Sequence, residues 1–194
     1  MFSNLELMRD ARRALGPHWG LGVLITFIYL LIVGIPSFLF ADFEGLISII
    51  LSGPFSVGFA YFSFSVIYGE TPHLNQLFKG FDVFGKSFLA YLCYAIMIVV
   101  GVIFFIIPGI IVSLGFSLTF YVMADRPELS FSECLYESWQ LTSGYRLKVL
   151  GLWLRFFPWY ILGALCLGVG VLLVIPWHYT AVAKLYQQLK REKM

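Results

Sequence analysis

Two side chains stand out where an otherwise apolar chain could do chemistry. Arg155 is the one charged residue well inside the apolar stretch that follows Gly144, and His178 lies in the next such stretch. Counted at 1.5 Å per residue from Leu147, Arg155 sits about 12 Å into its helix. His178 lies at a similar depth counting back from Tyr186, so the two fall opposite one another across a helical hairpin. Ionisable groups at membrane depth are costly and mark binding or pathway sites, which makes Arg155 and His178 ligand-binding candidates. The plainer alternative is that Arg155 runs its stem along lipid and puts its guanidinium among phosphates, with His178 a neutral ring bonded to a nearby carbonyl or hydroxyl. No intramembrane acid completes a proton path, since Asp125, Glu133 and Glu137 lie in a polar connection. There is no HExxH, no GxSxG and no phosphate-binding glycine loop. No catalytic residue follows, and the chain reads as a non-enzyme. His18 and His73 are isolated and Cys93, Cys134 and Cys166 are dispersed without CxxC spacing, so no metal and no cofactor is expected. Free thiols of this kind behave as small buried hydrophobes.

The elements that must position these residues are helices in lipid. The chain is 194 residues long, 60% hydrophobic and only 12% charged, with a mean hydropathy of +0.86, whereas soluble domains carry roughly 25% charged residues. A chain this short could not hide such an apolar excess from water. The basic residues form no run or groove of the kind nucleic acid requires, and membrane lipids are the expected partners. Rings at segment ends (Trp19, Tyr68, Tyr121, Trp153, Trp177) read as an interfacial belt.

Periodicity and turn signals predict an all-α membrane domain of six spans, at about 19–40, 45–68, 87–101, 102–124, 147–167 and 171–186. Three amphipathic surface helices precede the hairpins, at 3–15, 72–84 and 130–144. The first opens on the capping box Ser3–Glu6 and lines Phe2, Leu5, Met8, Ala11 and Leu15 on one side. The second carries Leu74, Leu77, Phe78 and Phe81 at helical spacing. The third opens on the capping box Ser130–Glu133 and ends at Gly144, a residue suited to a left-handed cap. Proline removes a helical hydrogen bond and kinks a helix, which assigns kinks to Pro54, Pro158 and Pro176. The turn between the third and fourth spans falls near Gly101, leaving Pro108 as an internal kink, or at Pro108-Gly109 itself; the short length from Pro108 to Ala124 favours the first.

Six spans put both termini on one side, and that side collects every Lys and Arg of the 13 except Arg155. The opposite side holds Asp42 and Glu44. By the positive-inside rule the termini are cytoplasmic. The units repeat in parallel: surface helix, span, tight turn, span with proline (Pro54, Pro108, Pro176), with the surface helices ending at Gly16, Gly85 and Gly144. Small-residue stripes (Ser52, Ser56, Ala60 and Gly109, Ser113, Ser117) suit close packing of the second and fourth spans.

The stretch Ile107-Pro108-Gly109-Ile110-Ile111, then Ala124-Asp125-x-Pro127-x-Leu129-Ser130, then Glu137-Ser138-x-x-Leu141-x-x-Gly144 resembles domain-of-unknown-function family 975, small polytopic bacterial membrane proteins. Gly53-Pro54, Gly58, Phe78-x-Gly80-Phe81, Trp159, Leu167-Gly168-x-Gly170, Pro176, Thr180-Ala181 and Tyr186 agree with it. The resemblance implies a bacterial plasma-membrane protein without an assigned activity. A looser similarity reaches the membrane-embedded, non-catalytic part of some glycerophosphodiester phosphodiesterases. The chain leaves the family pattern Leu-Ser-Phe-Ile-Gly-Trp at Leu154-Arg155-Phe156-Phe157-Pro158-Trp159. Two functions are therefore expected: binding or passing a lipid or amphipathic small molecule, or scaffolding, in which the amphipathic helices dock a protein partner or a second copy.

Overall fold

A computed structural model describes residues 3–39, 44–104, 106–166 and 168–193. The described residues are helices and their connections, with no strand among them. In chain order they form α1 (Asn4–Leu15), α2 (Trp19–Leu39), α3 (Glu44–Tyr68), α4 (Phe84–Phe104), α5 (Ile106–Gly115), α6 (Thr119–Asp125), α7 (Phe131–Thr142), α8 (Arg146–Leu165) and α9 (Val171–Lys193). Four stretches are long and apolar enough to cross a membrane: Asn4–Pro36, Ser48–Tyr68, Phe84–Gly101 and Pro108–Asp125.

Helix α3 is the mast of the molecule. It touches α2, α4, α6, α9 and the 3-10 helix Leu74–Phe81. Phe55, Val57, Phe59, Ala60, Phe62, Phe64 and Val66 are all buried, so the helix is covered on every side. Buried side chains make up 67% of its apolar window, against 17% for the stretch containing α2 and 11% for α4. The latter two therefore present most of their apolar surface outward. Lipid tails are as apolar as leucine, so helices in a membrane associate through close packing rather than through water exclusion, and the glycines show where. A Cβ on Gly58 would lie 2.0 Å from Leu77 O, and one on Gly80 would lie 1.8 Å from Pro54 O. The Leu74–Phe81 segment is thus pressed backbone to backbone against α3.

That contact explains a departure from the expected helix at 72–84. The segment is a 3-10 helix that buries Gln76, Leu77 and Gly80, with Leu74 half-buried one 3-10 turn before Leu77. Phe78, expected on the inner stripe, is 41% exposed. Gly85 does not end this helix; it lies within α4. Gly16 does end α1 as its C-cap, with right-handed backbone at φ −41°. The 3-10 turn Gly16–His18 then joins α1 to α2. Only Gly144, of the three expected terminators, has positive φ, at +85°.

Helix α1 opens on its capping box, with Ser3 Oγ accepting from the Glu6 amide at 3.2 Å and Glu6 Oε2 accepting from the Ser3 amide at 2.6 Å. Its inward stripe is Leu7, Met8, Ala11 and Leu15, packed on α9. Leu5, expected in that stripe, is 54% exposed, and Phe2 lies outside the described residues. Between α4 and α5 the chain reverses so tightly that a Cβ on Gly101 would sit 2.7 Å from Gly109 Cα. Both glycines therefore belong to the helix contact, and neither is the turn. Pro108 stands in the first turn of α5, where a missing N–H has no intrahelical partner to lose. The acidic turn expected at Ala41-Asp42-Phe43 lies outside the described residues. The basic residues 190–193, which the sequence reads as a soluble tail, continue α9.

Candidate functional site: a tyrosine-lined cavity at a broken helix

The apolar stretch from Ile106 to Asp125 is interrupted. Gly115 ends α5, residues 116–118 form a turn, and α6 resumes at Thr119. Non-helical backbone at membrane depth is tolerated only where it is buried in protein or lines a cavity, with its freed polar groups met by side chains. Several of the freed groups here have such partners. Ser138 Oγ and Thr142 Oγ1 of α7 donate to Gly115 O at 2.9 and 3.1 Å. Ser138 Oγ also accepts from the buried Leu118 amide at 3.2 Å. Ser117 Oγ donates to Leu114 O and Thr119 Oγ1 to Phe116 O, both at 2.8 Å.

Helix α7 is held in place to do this. Ser130 Oγ accepts from the Glu133 amide at 3.4 Å, and Glu133 Oε2 accepts from the Ser130 amide at 2.7 Å, closing the capping box. The helix buries Cys134, Leu135, Ser138, Leu141 and Thr142. Trp139 packs on Gly115, where a Cβ would lie 2.3 Å from the indole, and the Arg146 guanidinium covers the ring at 3.9 Å. Arg126 pairs with Glu137 across the turn into α7. Asp125 takes Lys190 and the Tyr186 hydroxyl of α9, rather than the arginines 126, 146 or 155 that its sequence neighbourhood offers.

Beside the break lies a half-open cavity of about 330 Å³, at the lower end of the roughly 300–1,000 Å³ of small-molecule sites. Phe116, Ser117, Phe120 and Tyr121 form one wall, facing Ser56 of α3 and Tyr91 and Tyr94 of α4. Trp153 and Tyr160 of α8 and His178, Tyr179 and Val182 of α9 close the other. None of these residues is charged. Tyr121 OH donates to Tyr179 O at 3.0 Å, and Tyr179 stacks on Phe59 at 4.6 Å.

His178 is a wall residue. Its Nδ1 lies 2.9 Å from Tyr160 OH, its ring stacks on Phe156 at 4.6 Å, and its Nε2 is buried without a hydrogen-bond partner. Arg155 does not face it. One residue from inward-facing Phe156, Arg155 points away from the hairpin partner, exposed on the outer face of α8 beside Leu154 and Phe157. The hairpin pairing expected between Arg155 and His178 is instead Tyr160 with His178, because a helix sends residues five apart to different faces than residues four apart. Of the expected structural positions, Pro54 lies within α3, Pro158 on the exposed face of α8, and Pro176 within α9 against Gly22. Gly109 contacts Gly101, as described above. Those helices run through their prolines without interruption.

Of the cavity tyrosines the sequence singles out only Tyr121, as part of an interfacial belt with Trp177. Tyr121 and Trp177 are 3% and 7% exposed and lie inside the bundle. The available signal was hydroxyls far from segment ends: Tyr91-x-x-Tyr94 on one helical face, and Tyr160 and Tyr179 in mid-segment. Among the described residues no group of histidine, cysteine and acidic side chains could hold a metal ion.

Apolar helices long enough to cross a membrane, packed through glycines around a buried mast, define a polytopic helical protein of the membrane type. A family model described as "Protein of unknown function (DUF975)" matches residues 92–193, more than half of the chain, and the chain belongs to that family. No curated protein and no solved structure matches it.

Proposed function

We propose that this chain is a multi-pass protein of the bacterial plasma membrane that binds or passes an uncharged amphipathic small molecule or lipid through the cavity at the α5–α6 break, without an enzymatic step. The observation that carries this reading is a cavity that joins a helix discontinuity to uncharged hydroxyls and one buried imidazole nitrogen without a partner. Discontinuous helices at membrane depth are where transport proteins build binding sites. An aromatic wall with a few oriented polar groups suits a ligand that is part ring or chain and part hydroxyl. The absence of any charged lining residue argues against an ionic headgroup in this cavity, since a charge there would be desolvated without a counter-charge.

In this reading α8 and α9 are the fifth and sixth spans. Support comes from their lengths and from the outward Leu154, Phe157, Ile161 and Leu165 of α8. Each hairpin follows an interfacial segment, giving three parallel units. Four or six crossings alike put both termini on the basic, cytoplasmic side. The scaffold alternative draws on less, because the apolar faces of α1 and α7 are taken up within the chain.

The test is retention of a bound molecule. Native mass spectrometry of the detergent-purified protein is expected to find one defined adduct per chain, and Ser117→Leu, which fills the cavity, is expected to lose it while circular dichroism is unchanged. An adduct kept in full by Ser117→Leu, or none in the wild type, overturns the proposal.

A further inference from the structure

A second groove, of about 420 Å³, shares no residue with the first. Its floor is the tip of the α8–α9 hairpin, where Gly163 and Gly170 meet so closely that a Cβ on Gly163 would lie 2.8 Å from Val171 N. The missing side chains let the two helices close on each other at the floor. Trp19, Trp159 and Trp177 form its walls, the last two edge to face at 5.3 Å. Trp177 is fixed from behind by its Nε1 donating to Met8 O at 2.8 Å. The groove opens onto surface with Leu162 53%, Leu165 75% and Leu173 48% exposed, so it is continuous with the outward apolar face.

One lining group is charged. The Arg12 guanidinium carbon lies 5.8 Å from the Trp177 ring centroid, and among the described residues Arg12 has no ion pair, its neighbour Arg13 being the residue matched with Asp10. A second arginine stands close in register: Arg155 precedes the groove residue Trp159 by one helical turn on the exposed side of α8, and it too has no carboxylate partner among the described residues. Arg12, Trp177 and Trp159 thus line the groove, and Arg155 stands one helical turn before Trp159 on the exposed side of α8. Arginine presents a planar fork matched to phosphate oxygens.

We propose that this groove seats an acidic membrane phospholipid, with its phosphate held at Arg12 and Arg155 and an acyl chain laid between Trp159, Trp177 and Leu173 over the two glycines. Two unpaired cations beside an apolar channel call for an anion with a long apolar tail. A free phosphate would leave the channel empty, and a neutral lipid would leave both cations unmatched. The site gives Arg155 a role specific to this chain, where its sequence leaves the family pattern, and it is independent of the uncharged cavity.

The groove contains three of the five tryptophans, so fluorescence reads it directly. The protein is reconstituted in phosphatidylcholine vesicles containing either brominated phosphatidylglycerol or brominated phosphatidylcholine, whose bromines quench indoles in contact. In the wild type, brominated phosphatidylglycerol is expected to quench at lower mole fraction, by about fivefold per arginine at low salt. The double substitution Arg12→Gln, Arg155→Gln is expected to equalise the two lipids, and Arg12→Lys, Arg155→Lys to keep most of the preference. Equal quenching in the wild type, or a preference that survives in the glutamine variant with helical content intact, overturns the proposal.

Discussion

Ser138 shows how single hydroxyls sustain the break beside the cavity. It donates to Gly115 O and accepts from the Leu118 amide, and both Ser138 and Leu118 are fully buried. Ser138→Ala removes the partner of that amide while Thr142 still covers the carbonyl. The expected loss is about 1–3 kcal/mol, the cost of a buried donor left unpaired, measured as a lowered unfolding midpoint in detergent. Tyr160→Phe strips His178 of its one partner and is expected to destabilise by a similar amount, again about 1–3 kcal/mol. Cys134 offers a separate check. Burial is the main cause that pushes its thiol up to about 11, so at pH 8 it is expected to resist iodoacetamide in the folded protein and to react once the protein is unfolded.

At the scale of elements, the closest contact is glycine against backbone. Gly58→Ala would drive a methyl into Leu77 O, and one strand of chain must move. Overpacking of this sort costs typically 1–3 kcal/mol, roughly, and more where backbone is the obstacle. The capping boxes give a pH signature. Hydrogen bonds from the Ser130 hydroxyl and then its amide hold the Glu133 carboxyl below its ordinary value of 4.5. The Ser3 amide and then its hydroxyl do the same for Glu6. A depressed folded-state value means that the stabilisation is present above the ordinary value and is lost as pH falls through the folded one. Fraying of the first turns of α1 and α7 is therefore expected only below about pH 4.5, followed by amide NMR signals at Ser3 and Ser130. Glu133→Gln is expected to remove the dependence at α7 alone. Both boxes were legible in the sequence, because four consecutive residues contain all their atoms. The 3-10 geometry of Leu74–Phe81 was not. Its apolar residues fit a 3.6-residue period as well as a 3.0 one, and the choice is made by Gly58 against Leu77 and Gly80 against Pro54, contacts between residues far apart in the chain. The break at 116–118 was hidden for the same reason: its compensating hydroxyls sit on α7, more than 20 residues away.

For the whole molecule, long apolar stretches made the helical class readable, and the uneven distribution of charge supplied an orientation. Neither could say which faces meet, which is why Arg155 and His178 looked like neighbours when only depth was known. Orientation is testable in cells after the native cysteines are replaced. A cysteine introduced at Lys193 is expected to resist an impermeant maleimide until the membrane is opened, and one at Asp42 to label without opening. The reverse pattern would invert the topology. The cavity itself is probed by placing a photoreactive phenylalanine at Phe120, on its wall, or at Phe157, on the outward face of α8. After irradiation in native membranes, mass spectrometry of the labelled peptides is expected to find one uncharged amphipathic adduct of defined mass at Phe120 and a mixture of bulk lipids at Phe157. The same bulk mixture at both positions, or no adduct at Phe120, would contradict a ligand site at the broken helix.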